Sequence, residues 1–385
     1  MSEVRVNNLS NENNTGGPTI SGITTYSGRH FFVPPSGSTA ERPEDCEPGS
    51  FRFNTDTKHL EYFRGNTIGW VEVEAELTEP LGGRSGSKGI SEGIGVRALY
   101  GGGVNTSNAK VNIVDFLTIS TMGDSQDFGD MPDTNTGVPG SCSSRTRGLF
   151  GGGYPYTNRI CFFTFANTSN STDFGDLSQS RSNLNGLGDG IRGVFVGGYT
   201  GSNQTTMDYV TIAQTGNAVD FGDLSANSNT PLAANSSTRG LIAGINETNV
   251  IEFITISTTG NATDFGDLTV ARSGGAVGPL GNSTRGIFAS GYSGGDLNVL
   301  DFVTMATTGN ASDFGDLAVI GASQTGAASS PTRGVIMGGI GGSPRAATNT
   351  TQKIEILTEG NSVDFGDITT ARNGGGGISN AHGGL

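Results

Sequence analysis

The tetrapeptide Asp-Phe-Gly-Asp occurs six times in this chain, beginning at Asp127, Asp173, Asp220, Asp264, Asp313 and Asp364. Two carboxylates separated by two residues could do three kinds of chemistry. They could flank a glycosidic bond as general acid and base, contribute oxygens to a calcium ion, or hold magnesium against nucleotide phosphates, as an Asp-Phe-Gly tripeptide does in phosphoryl transfer. The last also needs a glycine-rich nucleotide loop, a lysine strand and a His-Arg-Asp catalytic loop, none of which accompanies the motif. Calcium needs a fuller oxygen shell than one Asp pair supplies. No nucleophile elbow, phosphate loop, metalloprotease helix or Ser-His-Asp spacing is recognisable. Six identical copies point to architecture, so no catalysis, cofactor or metal is expected. Glycan hydrolysis is the enzymatic reading that dispersed carboxylates leave open.

Other reactive residues are sparse. His30, His59 and His382 lie far apart, and Cys46, Cys142 and Cys161 are too few and scattered for a disulfide framework or a four-thiolate zinc site. All three cysteines are expected to be free thiols. Asn-x-Ser/Thr triplets such as Asn261-Ala-Thr and Asn282-Ser-Thr follow from composition. Glycosylation there would need a secretory context, and the polar stretch Met1 to Asn14 lacks the apolar core of a signal peptide.

The elements that must carry the motif recur with it. Successive copies are 46, 47, 44, 49 and 51 residues apart. Upstream of each stands an arginine, Arg97, Arg147, Arg192, Arg239, Arg285 or Arg333, opening an apolar run such as Arg192-Gly-Val-Phe-Val-Gly-Gly. We name this strand B. A second β-rich run, for example Val250-Ile-Glu-Phe-Ile-Thr-Ile, is strand C, and Thr-Gly-Asn at 215–217, 259–261 and 308–310 reverses it into strand D, which carries the motif. A Gly/Ala/Ser-rich segment before the next arginine, as in Ser273 to Thr284 and Gly321 to Thr332, fits a narrow strand A. Four short antiparallel strands in about 47 residues make one propeller blade. A parallel β-helix would need two rungs per repeat, and the C-to-D hairpin argues against it.

The expected fold is therefore all-β: a small amino-terminal β-meander module, residues 1–80, followed by a six-bladed β-propeller, residues 81–385. Phe128, Phe174, Phe221, Phe265, Phe314 and Phe365 are expected to pack within or between blades. The flanking aspartates would accept backbone hydrogen bonds or face the strand-B arginines. Two segments compete to close the ring, Arg84-Ser-Gly before the first blade and Arg372-Asn-Gly through Leu385 after the last. We expect the second, set beside the Tyr100-containing strand.

Three resemblances follow from these residues. The double glycines at Gly197-Gly198 and Gly338-Gly339 resemble those of kelch-type propellers, without the usual kelch Tyr and Trp positions. Gly49 to Val73 reads as a three-strand meander with turns near Asn54 to Lys58 and Gly65-Asn66, containing Phe51, Phe53, Tyr62, Phe63 and Trp70. Trp70 is expected to anchor a small core. With Arg52 to Thr55, Leu60 to Phe63 and Gly69 to Val71, this segment resembles a module of tailed-phage tail and fibre proteins. Ile20 to Val33, the meander and the repeats together resemble virion proteins of phages infecting marine cyanobacteria.

That resemblance implies a structural, non-enzymatic virion component, synthesised in the host cytoplasm. Its amino-terminal module would attach to the particle and its propeller would contact other virion proteins, with copies arranged by virion symmetry. The formal charge of −14 and absence of a basic run make nucleic acid a poor partner, and no apolar stretch is long enough for membrane insertion. The alternative is recognition of host-surface glycan by the variable loops Gly151 to Asn158, Thr200 to Thr206 and Gly341 to Thr350.

Overall fold

The computed structural model describes residues 34–43, 46–67, 69–72, 96–132, 137–319, 324–341, 344–383 and 385. The protein is all-β: the regular elements among these residues are strands, joined by single 3₁₀ turns at Thr39–Glu41 and Ile245–Glu247. The chain divides into two compact units, Met1–Thr78 and Glu79–Leu385. The polar start, Ile20 to Val33 and the Arg84-Ser-Gly candidate lie outside the described residues.

In the first unit, Phe51–Asn54, Leu60–Phe63 and Trp70–Glu72 form an antiparallel meander, with Ser36–Gly37 added parallel to Phe53 and Asn54. Both turns fall where expected, with Lys58, Gly65 and Gly69 at positive φ. The burial is inverted relative to hydrophobicity. Arg52, Asn54 and Glu61 are buried, whereas Phe51 is 49% and Leu60 41% exposed, with Phe53 and Tyr62 half-buried between them. Glu61 is held by Arg42 at 2.6 Å and by the Asn54 amide at 3.2 Å. Burial pushes its carboxyl upward, but these partners outweigh burial and leave it below the usual range. Phe63 is buried against half-buried Trp70, ring centroids 5.5 Å apart, and the Trp70 indole donates to the Pro43 carbonyl at 3.1 Å.

In the second unit, five of the repeat sheets are antiparallel in the order A-B-C-D, and the fifth in sequence holds B-C-D alone. Strand B is Arg97–Gly101, Arg147–Gly151, Arg192–Val196, Arg239–Ala243, Arg285–Tyr292 and Arg333–Met337 in sheets one to six. Strand D carries the motif in Gln126–Asp130, Thr172–Arg181, Val219–Ser228, Thr263–Asp267, Ser312–Asp316 and Val363–Asp367. Strand B is buried on both faces because its alternating side chains enter different layers. In sheet three, Phe195 packs with Leu149 and Phe174 of sheet two, whereas Val194 and Val196 pack with Ile242 and Ile254 of sheet four. Such a layer fills every interface between successive sheets, and another joins Val335 and Phe365 of sheet six to Tyr100 and Leu117 of sheet one. The glycine after the strand-B arginine is set by this packing. A Cβ on Gly193 would strike Cys142 of the preceding sheet, and one on Gly240 would strike Leu187.

Strand A is Gly140–Ser143, Asn185–Gly188, Leu232–Asn235 and Gly326–Ser329 in sheets two, three, four and six. Sheet one takes its A strand from the carboxy-terminal end, where Gly376–Ser379 pairs with Arg97–Gly101 and Gly377 lies opposite Tyr100. Arg372 and Asn373 also pair with Asn105 and Val104. Sheet five departs from expectation: Ser273 to Thr284 forms no regular strand, leaving a three-stranded sheet. Pro279 cannot donate to a ladder, and Gly278 and Gly281 at φ +111° and +140° turn the chain away. Val277 instead bonds neighbouring A strands, donating to the Thr325 carbonyl and accepting from the amides of Ala327 and Gly377.

Candidate functional site

Each motif is a fastening between sheets. The motif phenylalanines are all 2% exposed or less. The carbonyls of Phe174, Phe221, Phe265 and Phe314 accept the amides of Gly216, Gly260, Gly309 and Gly360, which lie in the C-to-D turn of the following sheet. Gly123 of sheet one donates to Phe365 of sheet six in the same way. The second aspartate of each copy donates its amide to the side-chain oxygen of Asn170, Asn217, Asn261, Asn310, Asn361 or Asp124, at 2.9–3.1 Å. Its carbonyl accepts the amide two residues before the next motif, from Ser171, Ala218, Ala262, Ala311, Ser362 or Ser125. The motif glycine has φ between +139° and +150°, and a Cβ there would strike the carbonyl of the next turn. Gly is thus required both by conformation and by contact. The turn asparagine, three residues before five of the motifs with Asp124 in its place before the first, marks only a reversal in the sequence; its fixed offset was the available signal.

The strand-B arginines do not reach the motif aspartates among the described residues, contrary to one expectation. Arg97, Arg147, Arg192, Arg239 and Arg285 stack 4.7–4.8 Å over the rings of Phe116, Phe162, Tyr209, Phe253 and Phe302 on strand C. These rings meet the motif phenylalanines edge to face at 5.7–6.2 Å. Each guanidinium then donates to carbonyls of the following sheet, as Arg147 does to Ile212 and Ala213 and Arg239 to Met305 and Ala306. Sheet six has Lys353 in place of the ring, and Arg333 pairs with Glu355 at 3.1 Å. It still reaches the Ile119 and Ser120 carbonyls of sheet one. The first aspartate of every motif is exposed.

A second set of arginines was missed as charge chemistry. Arg181, Arg272 and Arg372 are fully buried and pair with Asp208, Asp301 and Asp115 at 2.7, 2.7 and 3.0 Å. Arg181 at the end of strand D, and Arg272 and Arg372 five residues beyond it, each reach strand C of the next sheet, across the interfaces two-to-three, four-to-five and six-to-one. Ser178, Thr269 and Thr369 donate hydroxyls to the same carboxylates. Arg372 also donates to the carbonyls of Gly102 and Tyr100 at 3.0 Å and stacks over the Tyr100 ring at 4.7 Å. Burial pushes the Tyr100 phenol up to about 12, with Arg372 opposing it. In the intervening sheets the strand-C position holds Cys161, Glu252 or Gln352.

The carboxy terminus ties A strands together. Buried His382 bonds the Ser143 carbonyl through Nε2 at 3.0 Å and the Asn235 amide through Nδ1 at 3.2 Å, which assigns the proton to Nε2. Burial pulls its pKa down to about 4. All three cysteines are free; Cys142 and Cys161 are buried, which pushes the Cys161 thiol up to about 12 and Cys142 higher. Among the described residues no group of three or more His, Cys, Asp or Glu could hold a metal, and no helix is long and apolar enough to cross a membrane.

The loops joining strands B and C carry exposed aromatic rings. Tyr154 and Tyr156 of sheet two lie edge to face at 5.8 Å, and Tyr156 reaches Tyr199 of sheet three at 5.9 Å. The Lys110 ammonium of sheet one sits 4.1 Å from the Tyr154 ring centroid. Desolvation, with Tyr199 and Tyr154 alongside, raises the Tyr156 phenol. Of the variable loops named from sequence, this brings Gly151 to Asn158 beside the start of Thr200 to Thr206. Comparison with family models finds no match, and comparison with curated proteins finds none either.

Proposed function

We propose that the six sheets are the blades of a β-propeller and that the protein is a non-enzymatic structural component of a tailed-phage particle. The observation that supports the propeller is the sixth interface. Motif and strand-B arginine contacts pass from each sheet to the next and then from sheet six to sheet one, where a buried Arg–Asp pair joins them, as a closed radial array requires. The kelch-like character rests on the double glycines.

The virion reading rests on the resemblance of Arg52–Thr55, Leu60–Phe63 and Gly69–Val71 to tail and fibre modules. In it the first unit attaches to the particle and the propeller contacts other virion proteins. Particles assembled with a chain lacking residues 1–75 test this: the truncated protein is left out of the particle, and incorporation at normal copy number would overturn the assignment. A second reading, glycan recognition by the loops, is favoured by the exposed tyrosines at 154 and 156. Adsorption of the full chain to susceptible cells tests it, and a hydrolase would in addition release sugar fragments.

A further inference from the structure

We infer that the surface formed by Lys110, Tyr154, Tyr156 and Tyr199 binds a saccharide bearing a carboxylate. This rests on the glycan reading above and gives it a place and a ligand class.

Most large aromatic side chains in the repeats are drawn inward: the motif phenylalanines and Phe150, Phe163, Phe195 and Phe288 are all buried, and Tyr292, 47% exposed, is the other large outward ring among the described residues of the repeats. Tyr154 and Tyr156 are 46% and 40% exposed, and with Tyr199 they form a continuous run of rings. Solvated rings gathered in one place mark a surface that another molecule covers. The backbone beneath two of the three rings and beneath Lys110 is also held. Tyr154 is bridged to Gly137, Tyr199 to Ser182 and Asn203, and Lys110 to Val104, so three of the four residues stand on backbone held by β-bridges. A ligand meeting them encounters a surface whose ordering cost is already met.

The chemistry around the rings selects the ligand. The stretches that carry the cluster read Val104-Asn-Thr-Ser-Asn-Ala-Lys-Val, Gly152-Gly-Tyr-Pro-Tyr-Thr-Asn and Tyr199-Thr-Gly-Ser-Asn-Gln. None contains Leu, Ile, Met, Phe or Trp, so the surroundings of the three rings are amides and hydroxyls rather than large aliphatic side chains. Flat rings surrounded by amides and hydroxyls match a pyranose, which has apolar C–H faces and a rim of hydroxyls. The charge narrows the class further. Lys110 makes no ion pair among the described residues, in a chain of formal charge −14. Its ammonium already lies against the Tyr154 ring, so a carboxylate on a sugar stacked nearby would meet a placed cation.

The test is calorimetric titration of the full chain with trigalacturonic acid and with its methyl ester, which keeps the rings and removes the charge. The acid is expected to bind at least about tenfold more tightly than the ester. Tyr156→Ala should weaken both by about tenfold or more. Lys110→Gln should abolish the preference for the acid, and Lys110→Arg should keep it. An unchanged near-ultraviolet circular dichroism spectrum establishes that each variant is folded. Binding that is unchanged in both Tyr156→Ala and Lys110→Gln would overturn this site while leaving glycan recognition to another surface. No binding of either saccharide by the wild-type chain would overturn this proposal, and failure to adsorb to cells would then remove the glycan reading as well. Equal affinity for acid and ester would overturn the assignment of a carboxylate ligand.

Discussion

The outer fastening and the buried ion pairs join the same sheets by different means. The outer one is built from backbone: amides and carbonyls of Asp-Phe-Gly-Asp meet the next Gly-Asn turn, and one side chain, Asn or Asp, completes it. Little variation is tolerated where two backbones touch, so the motif is identical in all six copies. The inner contact is built from side chains, Arg181, Arg272 and Arg372 with their aspartates, and it occurs at every second interface. Side-chain contacts can be exchanged pairwise, and here Cys161, Glu252 or Gln352 replaces the aspartate where the arginine is not used. The motif contact thus recurs at six interfaces and the buried ion pair at three, and the sheets are equivalent only in pairs.

The largest effect should come from breaking an inner pair. Asp301→Ala leaves the fully buried Arg272 guanidinium without its carboxylate and should cost about 3–5 kcal/mol in denaturant unfolding. Glu252→Ala, at the same strand-C position of sheet four, removes a carboxylate that accepts the Ser225 amide and should cost about 1–2 kcal/mol. Equal losses would mean that the alternation has no energetic content.

A slightly smaller effect should come from pH. His382 titrates near 6.5 when unfolded and near 4 in the fold, so between these values the unfolded chain binds more protons. Its contribution is full above about pH 6.5, falls as pH drops and is gone below about 4, amounting to about 3 kcal/mol. Stability measured from pH 7 to 4 should show this slope, and His382→Gln should flatten it. An unchanged slope would place His382 in solvent.

The outer fastening should respond least to any one side chain, because backbone supplies most of it. Asn261→Ala removes the side-chain oxygen that accepts the Asp223 amide of sheet three, and should cost about 1 kcal/mol. Asp124→Asn, which gives the divergent turn the residue found in the other five, should shift stability by no more than about 0.5 kcal/mol. A loss at Asn261 as large as that at Asp301 would reverse the order of the two contacts.

Much of the fold was legible because the repeat announces its own period. Arg192-Gly-Val-Phe-Val has the length and β-branched content of a strand, and Thr215-Gly-Asn marks the hairpin that follows. Carboxy-terminal pairing beside Tyr100 was legible from the likeness of Arg372-Asn-Gly-Gly to Arg272-Ser-Gly-Gly. Contacts between repeats were less so. Asn261 stands three residues before its own motif but binds the preceding one, and Arg372 meets Asp115 across 257 positions. Neither partner can be named before the neighbouring strand is known. In the meander the strands and turns were legible, but the covered side was not: the Arg42–Glu61 pair and Asn54 occupy it, and nothing in the spacing of Phe51, Phe53 and Tyr62 announces a buried polar cluster. At Ser273 to Thr284, composition suggested a strand that Pro279 prevents.

The proposed ring stands or falls on its closure. Ending the chain at Arg372 removes Gly376–Ser379, the A strand of sheet one, together with His382. The truncated protein should melt at a lower temperature and self-associate through the uncovered Arg97–Gly101 edge, whereas deleting residues 83–95 should change neither property. If the truncation leaves melting and association unchanged while the deletion lowers stability, the carboxy-terminal strand does not close the ring.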